Sequence, residues 1–152
     1  MTSVRLVLLV AAVLFAGCAP APRPVELSKP DPTKEAWYGE TTEQVAALTR
    51  DAESLFRNGK ADQASSKISA GQPLISRLLS APRPTLAAME AVSDLDDLYG
   101  RMLLANRHYG WARLLFQKNQ ARWNHWRPQT EETVRRRKAA ESGMAECDRR
   151  LE

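Results

Sequence analysis

"YGRMLLANRHYGWARLLF", Tyr99 to Phe116, sets two apolar patterns on either side of a polar joint. Tyr99 and Met102 close a stripe that begins at Ala88 and passes through Val92 and Leu95. Steps of three and four place those side chains on one face of an α-helix. Leu98 and Leu103 widen that face. The spacing predicts one helix from Pro84 or Thr85 to Asn106-Arg107. It predicts another from about Tyr109 to Trp126, ending before Pro128. Within the stretch, Gly100 is followed by Leu103 at +3, Ala112 at a further +9 and Phe116 at a further +4. The same steps run through Ala52, Leu55, Ala64 and Ile68. One internal spacing found in two helix pairs is a repeat signal.

The remainder of the chain after Ala36 also reads as helix, because β-branched residues are scarce and no stretch alternates apolar with polar. The first helix is expected to start near Thr41 or Thr42 and stop at Asn58-Gly59, with Val45, Leu48, Ala52 and Leu55 on one stripe. The second runs from about Lys60 to Leu79 on Ala64, Ile68, Gly71, Ile75 and Leu78. Pro73 removes one backbone donor there and predicts a kink or short break. The stripe keeps its phase across Pro73, which favours a single bent element. "APRPT", Ala81 to Thr85, separates it from the third helix. A fifth helix is expected from Thr130 to near Leu151, with Ala140, Met144, Cys147 and Leu151 inward and charge elsewhere. The fold class is all-α: about five helices in antiparallel hairpins.

The recurrent spacing resembles that of a tetratricopeptide-type helical hairpin. Gly100 and Ala112 match the small positions where its two helices touch. Tyr99, Leu103 and Phe116 match its large packing positions, and Tyr109 the aromatic at its turn. The two units lie 48 residues apart, not the 34 of that family, and neither has the closing proline. The resemblance therefore implies an irregular, tetratricopeptide-like stack, with a plain five-helix bundle as the alternative. Helical domains of this kind on lipoproteins help to assemble pili, secretins and outer-membrane proteins. That implies a partner protein held in a helical groove.

The N-terminus has a different character. Arg5 precedes an unbroken apolar run from Leu6 to Phe15. Ten such residues make about 15 Å of helix, half of a hydrocarbon core near 30 Å thick. A short basic start, a short apolar run and small residues after it describe an export signal. Phe15-Ala16-Gly17-Cys18 resembles the bacterial lipobox, although Phe15 stands where that family usually has leucine. The resemblance implies residues 1–17 as signal peptide and a diacylglycerol on the thiol of Cys18. Two or three acyl chains hold a protein stably on a bilayer. Ala19, in place of aspartate, implies sorting to the outer membrane, facing the periplasm. Residues 18–36 form the lipidated cysteine and a linker with prolines 20, 22, 24, 30 and 32, suited to an extended stalk. Residues 37–152 form the helical domain.

Little in the sequence suggests chemistry. The formal charge is +4, and losing Arg5 leaves about +3, too small to imply a polyanion partner; nucleic acid is not expected. Cys147 is left as a lone thiol and is expected to be buried and structural. His108 and His125 stand roughly 25 Å apart along one helix and cannot share a metal. In "DLDDLYG", Leu98 and Gly100 fall at the wrong positions for a calcium loop, so Asp94, Asp96 and Asp97 are read as a solvated face. No nucleophile motif or phosphate-binding loop is present. Neither an enzyme nor a cofactor nor a metal is expected.

Two basic stretches remain as candidate surfaces. In "HYGWARLLFQKNQARWNHWRPQ", His108 to Gln129, Trp123 and Trp126 share the core stripe with Ala112, Phe116 and Asn119. Trp111, Arg113, Lys118 and Arg122 fall on other flanks and are the candidate partner-binding residues. Arg135, Arg136, Arg137 and Lys138 are the candidate contacts for an anionic surface. Glu131 and Glu132 stand four residues before Arg135 and Arg136, so a paired, solvated face is the default there. The expected function is a membrane-anchored, non-enzymatic envelope lipoprotein whose helical domain is an interaction adaptor or assembly factor. The alternative is a structural envelope module that binds anionic lipid or cell-wall polymer through a basic and aromatic helical face.

Overall fold

The computed structural model describes residues 30–152. The expected signal peptide, Cys18 and residues 19–29 of the expected linker lie outside the described residues. A 3₁₀ turn, Pro32–Lys34, leads into five helices: α1 (Ala36–Arg57), α2 (Ala61–Leu79), α3 (Leu86–Ala105), α4 (Tyr109–His125) and α5 (Glu131–Leu151). No strand occurs among the described residues. The all-α class and the five helices are as the sequence predicts.

α1 begins earlier than expected, at Ala36 and not near Thr41. Thr41 and Thr42 lie inside it, and their hydroxyls donate to the carbonyls of Trp37 at 2.6 Å and Tyr38 at 2.9 Å. The extra turn is fixed by Tyr38, which is 1% exposed and donates its hydroxyl to the Leu78 carbonyl at the end of α2. Burying such a side chain contributes about 1.5–3 kcal/mol, more than the helix penalty of Gly39 beside it. α2 runs through Pro73 as one element, so the break that proline allowed does not occur. Ser69 and Pro73 are both exposed, so the donor missing from the ladder lies on the wet side of the helix. Thr85 caps α3 by accepting from the Ala88 amide at 3.2 Å. Thr130 and Thr133 form a reciprocal cap on α5.

The helices stack in chain order. α1 packs on α2, α3 on α4, and α4 on α5; α3 also meets α1, α2 and α5. The backbones of α1 and α2 do not closely approach those of α4 or α5. Short turns between touching helices make the neighbours antiparallel. The two hairpins share one turn geometry at the predicted offset. Asn58 has φ −88°, ψ 12° and Asn106 has φ −87°, ψ 12°. Lys60 has φ −92°, ψ 59° and His108 has φ −87°, ψ 57°. Between them, Gly59 and Arg107 are both left-handed, at φ 72° and 63°. The Lys60 amide donates to Leu55 O and the His108 amide to Leu103 O, each at 2.9 Å. The repeated quartets match in burial too: Ala52, Ala64 and Ile68 are buried with Leu55 half-buried, and Gly100, Ala112 and Phe116 are buried with Leu103 half-buried.

Two apolar clusters result. The larger lies among α1, α2 and α3, around Val45, Ile68, Leu78, Leu95 and Leu98. The smaller joins Ala112, Phe116 and Cys147 to Leu103, Leu104 and Met144. The Phe116 ring is clamped between two glycines. A Cβ built on Gly100 would lie 2.9 Å from the ring, and one on Gly143 would lie 2.7 Å from it. Cys147 is fully buried, and that burial pushes its thiol above the ordinary range, which suits a structural cysteine.

Candidate functional site

The chemistry-bearing side chains gather around the acidic run of α3. Positions i, i+2 and i+3 of a helix point in three directions, so Asp94, Asp96 and Asp97 meet different neighbours. Asp96 is not solvated, contrary to the sequence reading. It is 1% exposed and turns into α4. Arg122 donates to its Oδ2 at 3.0 Å, and Lys118 Nζ stands 3.1 Å from the same oxygen. Arg122, with a side chain 6% exposed, also donates to Asn119 Oδ1. Asn119 donates to Ser93 O at 3.0 Å, and Trp123 Nε1 to Ser93 Oγ at 2.8 Å. This closed network binds α3 to α4, and no buried side-chain polar atom among the described residues lacks a partner. Asp94 accepts from Arg136 of α5, and Asp97 accepts from Arg101 at 2.9 Å. Arg101 also reaches Glu53 of α1 at 3.3 Å.

The candidate partner residues are therefore divided. Trp111 is 69% exposed. Arg113 donates to Asp148 of α5 at 2.6 Å, and Arg122 is buried on Asp96, so neither offers a free guanidinium. Lys118 keeps an exposed ammonium beside Asp96. Trp123 is fully buried, as its stripe predicts. Trp126 is only half-buried, because it sits past the end of α4 with extended backbone, φ −62° and ψ 140°.

The second basic stretch is paired more fully than expected. Glu132, and not Glu131, serves both Arg135 at 2.6 Å and Arg136 at 2.7 Å. The Arg135 hydrogen bonds, with the Arg136 charge, hold the Glu132 carboxyl down at about 2. Arg136 further bonds Asp94 and lies 5.5 Å from the Trp123 ring centroid. Arg137 donates to Glu141 at 2.5 Å. Lys138 has no carboxylate partner among the described residues.

Two surfaces emerge that the sequence alone does not single out. A channel crosses α1, α3 and α5. It consists of a recess of about 220 Å³ lined by Thr49, Arg50, Glu53 and Arg101, and one of about 90 Å³ lined by Ser93, Asn119, Arg135 and Ala139. Both recesses share Asp94 and Asp97. Its charges recur at steps of three and four on α1 (Arg50, Glu53) and α3 (Asp94, Asp97, Arg101), a pattern visible only once the neighbours are known. The other surface is a shallow apolar groove of about 480 Å³, where Leu79 and Met89 face Ala121 and Trp126. Among the described residues no group of three His, Cys, Asp or Glu is placed to hold a metal, and no helix is long and apolar enough to cross a membrane.

Comparison with protein-family models, with curated proteins and with solved structures returned no match.

Proposed function

We propose that this chain is a bacterial envelope lipoprotein, anchored through lipid on Cys18, whose tetratricopeptide-like helical domain acts as a non-enzymatic adaptor or assembly factor. It stands on the outer membrane and faces the periplasm, with the proline-rich linker as its stalk. The observation that carries the adaptor reading is the channel across α1, α3 and α5. Two hairpins of one geometry, followed by α5, leave two adjoining polar recesses that share Asp94 and Asp97, with Arg50 exposed at their edge and without a carboxylate partner among the described residues. A peptide or partner helix is the occupant such a cleft suits. The lipobox-like Phe15-Ala16-Gly17-Cys18 supports the anchor.

Ala139 is exposed and lines the smaller recess, so a tryptophan there fills the cleft without entering the core. Affinity isolation from solubilised envelopes is expected to recover one protein in stoichiometric amount with the native chain. Ala139→Trp and Arg50→Glu should both abolish that recovery while leaving the melting temperature unchanged. Recovery that ignores both substitutions contradicts the adaptor reading.

A further inference from the structure

α4 presents a face that no other helix among the described residues covers. Trp111, Leu114, Lys118, Ala121 and His125 recur at steps of three and four, and all five are exposed. Their stripe is turned well away from the buried one formed by Ala112, Phe116, Asn119 and Trp123. Trp111 and Leu114 are 69% and 53% exposed, the first and third largest values among the exposed large hydrophobic residues. Towards the C-terminal end, Ala121 and His125 run into the apolar groove with Leu79, Met89 and Trp126.

The charge of the chain is concentrated on the same element. Between Asn106 and Thr130 stand Arg107, Arg113, Lys118, Arg122 and Arg127, with no aspartate or glutamate. Of the chain's 22 basic and 18 acidic residues, 17 and 18 lie outside that segment, so the entire formal excess resides on α4 and its flanks. Packing neutralises only part of it. Arg113 is matched by Asp148, whereas Lys118 and Arg122 share the single carboxylate of Asp96 and leave one positive charge over. Arg107 and Arg127 flank the stripe and have no carboxylate partner among the described residues; Arg127 donates only to the carbonyls of Asn124 and Trp126.

We propose that this face of α4 lies against the surface of an anionic phospholipid bilayer. An exposed tryptophan and leucine between cations are the two things such a surface takes: an aromatic edge at headgroup level and positive charge beside phosphate. α4 is about 25 Å long, so Arg107 and Arg127 contact headgroups at either end of the apolar patch. The run Arg135 to Arg137 does not fill this role, because its guanidiniums already serve Glu132, Asp94 and Glu141. The proposal takes from the Cys18 anchor only its nearness to a bilayer.

The test uses the full chain purified from bacterial membranes and unilamellar vesicles with dibrominated acyl chains. One set contains phosphatidylcholine alone and the other phosphatidylglycerol with phosphatidylcholine. Bromolipid is expected to quench tryptophan fluorescence in the anionic vesicles, and Trp111→Phe should remove most of that quenching. The pair Arg107→Asn and Lys118→Gln should weaken the α4 contact, read as Trp111-dependent quenching in anionic vesicles, about tenfold. All three residues are exposed, and an unchanged helical circular dichroism melt confirms that the variants are folded. The proposal is overturned if anionic vesicles give no Trp111-dependent quenching, or if zwitterionic vesicles give the same amount. It is also overturned if an envelope protein, and not lipid, shields Trp111. Flotation of the same chain on zwitterionic vesicles reads the anchor separately: flotation without Trp111 quenching rejects only the α4 contact, and Trp111 quenching without such flotation rejects only the anchor.

Discussion

Asn58 and Asn106 end their helices with the same backbone, and the residues after them differ in kind: Gly59 suits the left-handed region, and Arg107 does not. That conformation costs an L-residue about 1–2 kcal/mol, whereas glycine loses about 0.5–1 kcal/mol through its freer unfolded chain. Arg107→Gly is therefore expected to stabilise the domain by about 0.5–1 kcal/mol in urea unfolding. An unchanged or lower midpoint would mean that the arginine side chain contributes more than its backbone costs. The sequence marked a helix end at Asn106-Arg107, but the sign of φ is imposed by the hairpin and is not written in the residue. The tryptophans show the same limit. Helical spacing put Trp123 and Trp126 on one stripe, yet spacing has no meaning beyond the last helical residue, and only Trp123 is buried.

At the scale of the elements, α3 carries the organisation. Its acids tie it to α4 through Asp96 and to α5 through Asp94, while Arg101 ties it to α1. Local patterning recovered the five helices and most of the inward stripes, because those depend on neighbours three and four residues away; Leu151, placed inward by its spacing, is 57% exposed at the end of α5. It misread Asp96 because nothing in "DLDDLYG" tells which helix lies opposite. The buried pair has a clear energetic signature. Asp96→Ala leaves Arg122 charged and unpartnered by a carboxylate in the interior and should cost about 3–5 kcal/mol. Combining Asp96→Leu with Arg122→Met removes both charges and should recover more than half of that loss, since a buried pair itself contributes little. A chemical-denaturation cycle over the native chain, Asp96→Leu, Arg122→Met and the double variant measures this. Additive losses would show that the two side chains do not depend on each other.

For the whole molecule, the surface ion pairs give a mild acid sensitivity. Glu132 titrates near 4.5 when unfolded and at about 2 when folded, held down by Arg135 and Arg136. A depressed carboxylate stabilises the fold above its unfolded value, and the contribution fades as pH falls from about 4.5 towards 2. Because Glu132 is partly exposed, Glu132→Gln should cost less than about 1 kcal/mol at neutral pH. The gap to the native chain should close by pH 2, as thermal melts at a series of pH values would show; a gap that persists there would place the effect in packing. The stack of hairpins was legible as a spacing of 48, and its cleft was not, because a cleft belongs to three helices at once. Attachment to the envelope rests on Cys18. Metabolic labelling with radioactive palmitate in a bacterial host is predicted to mark the native chain and to leave Cys18→Ser unlabelled and absent from the membrane fraction. A native chain that takes no label, or a Cys18→Ser chain that remains in membranes after a carbonate wash, would contradict it.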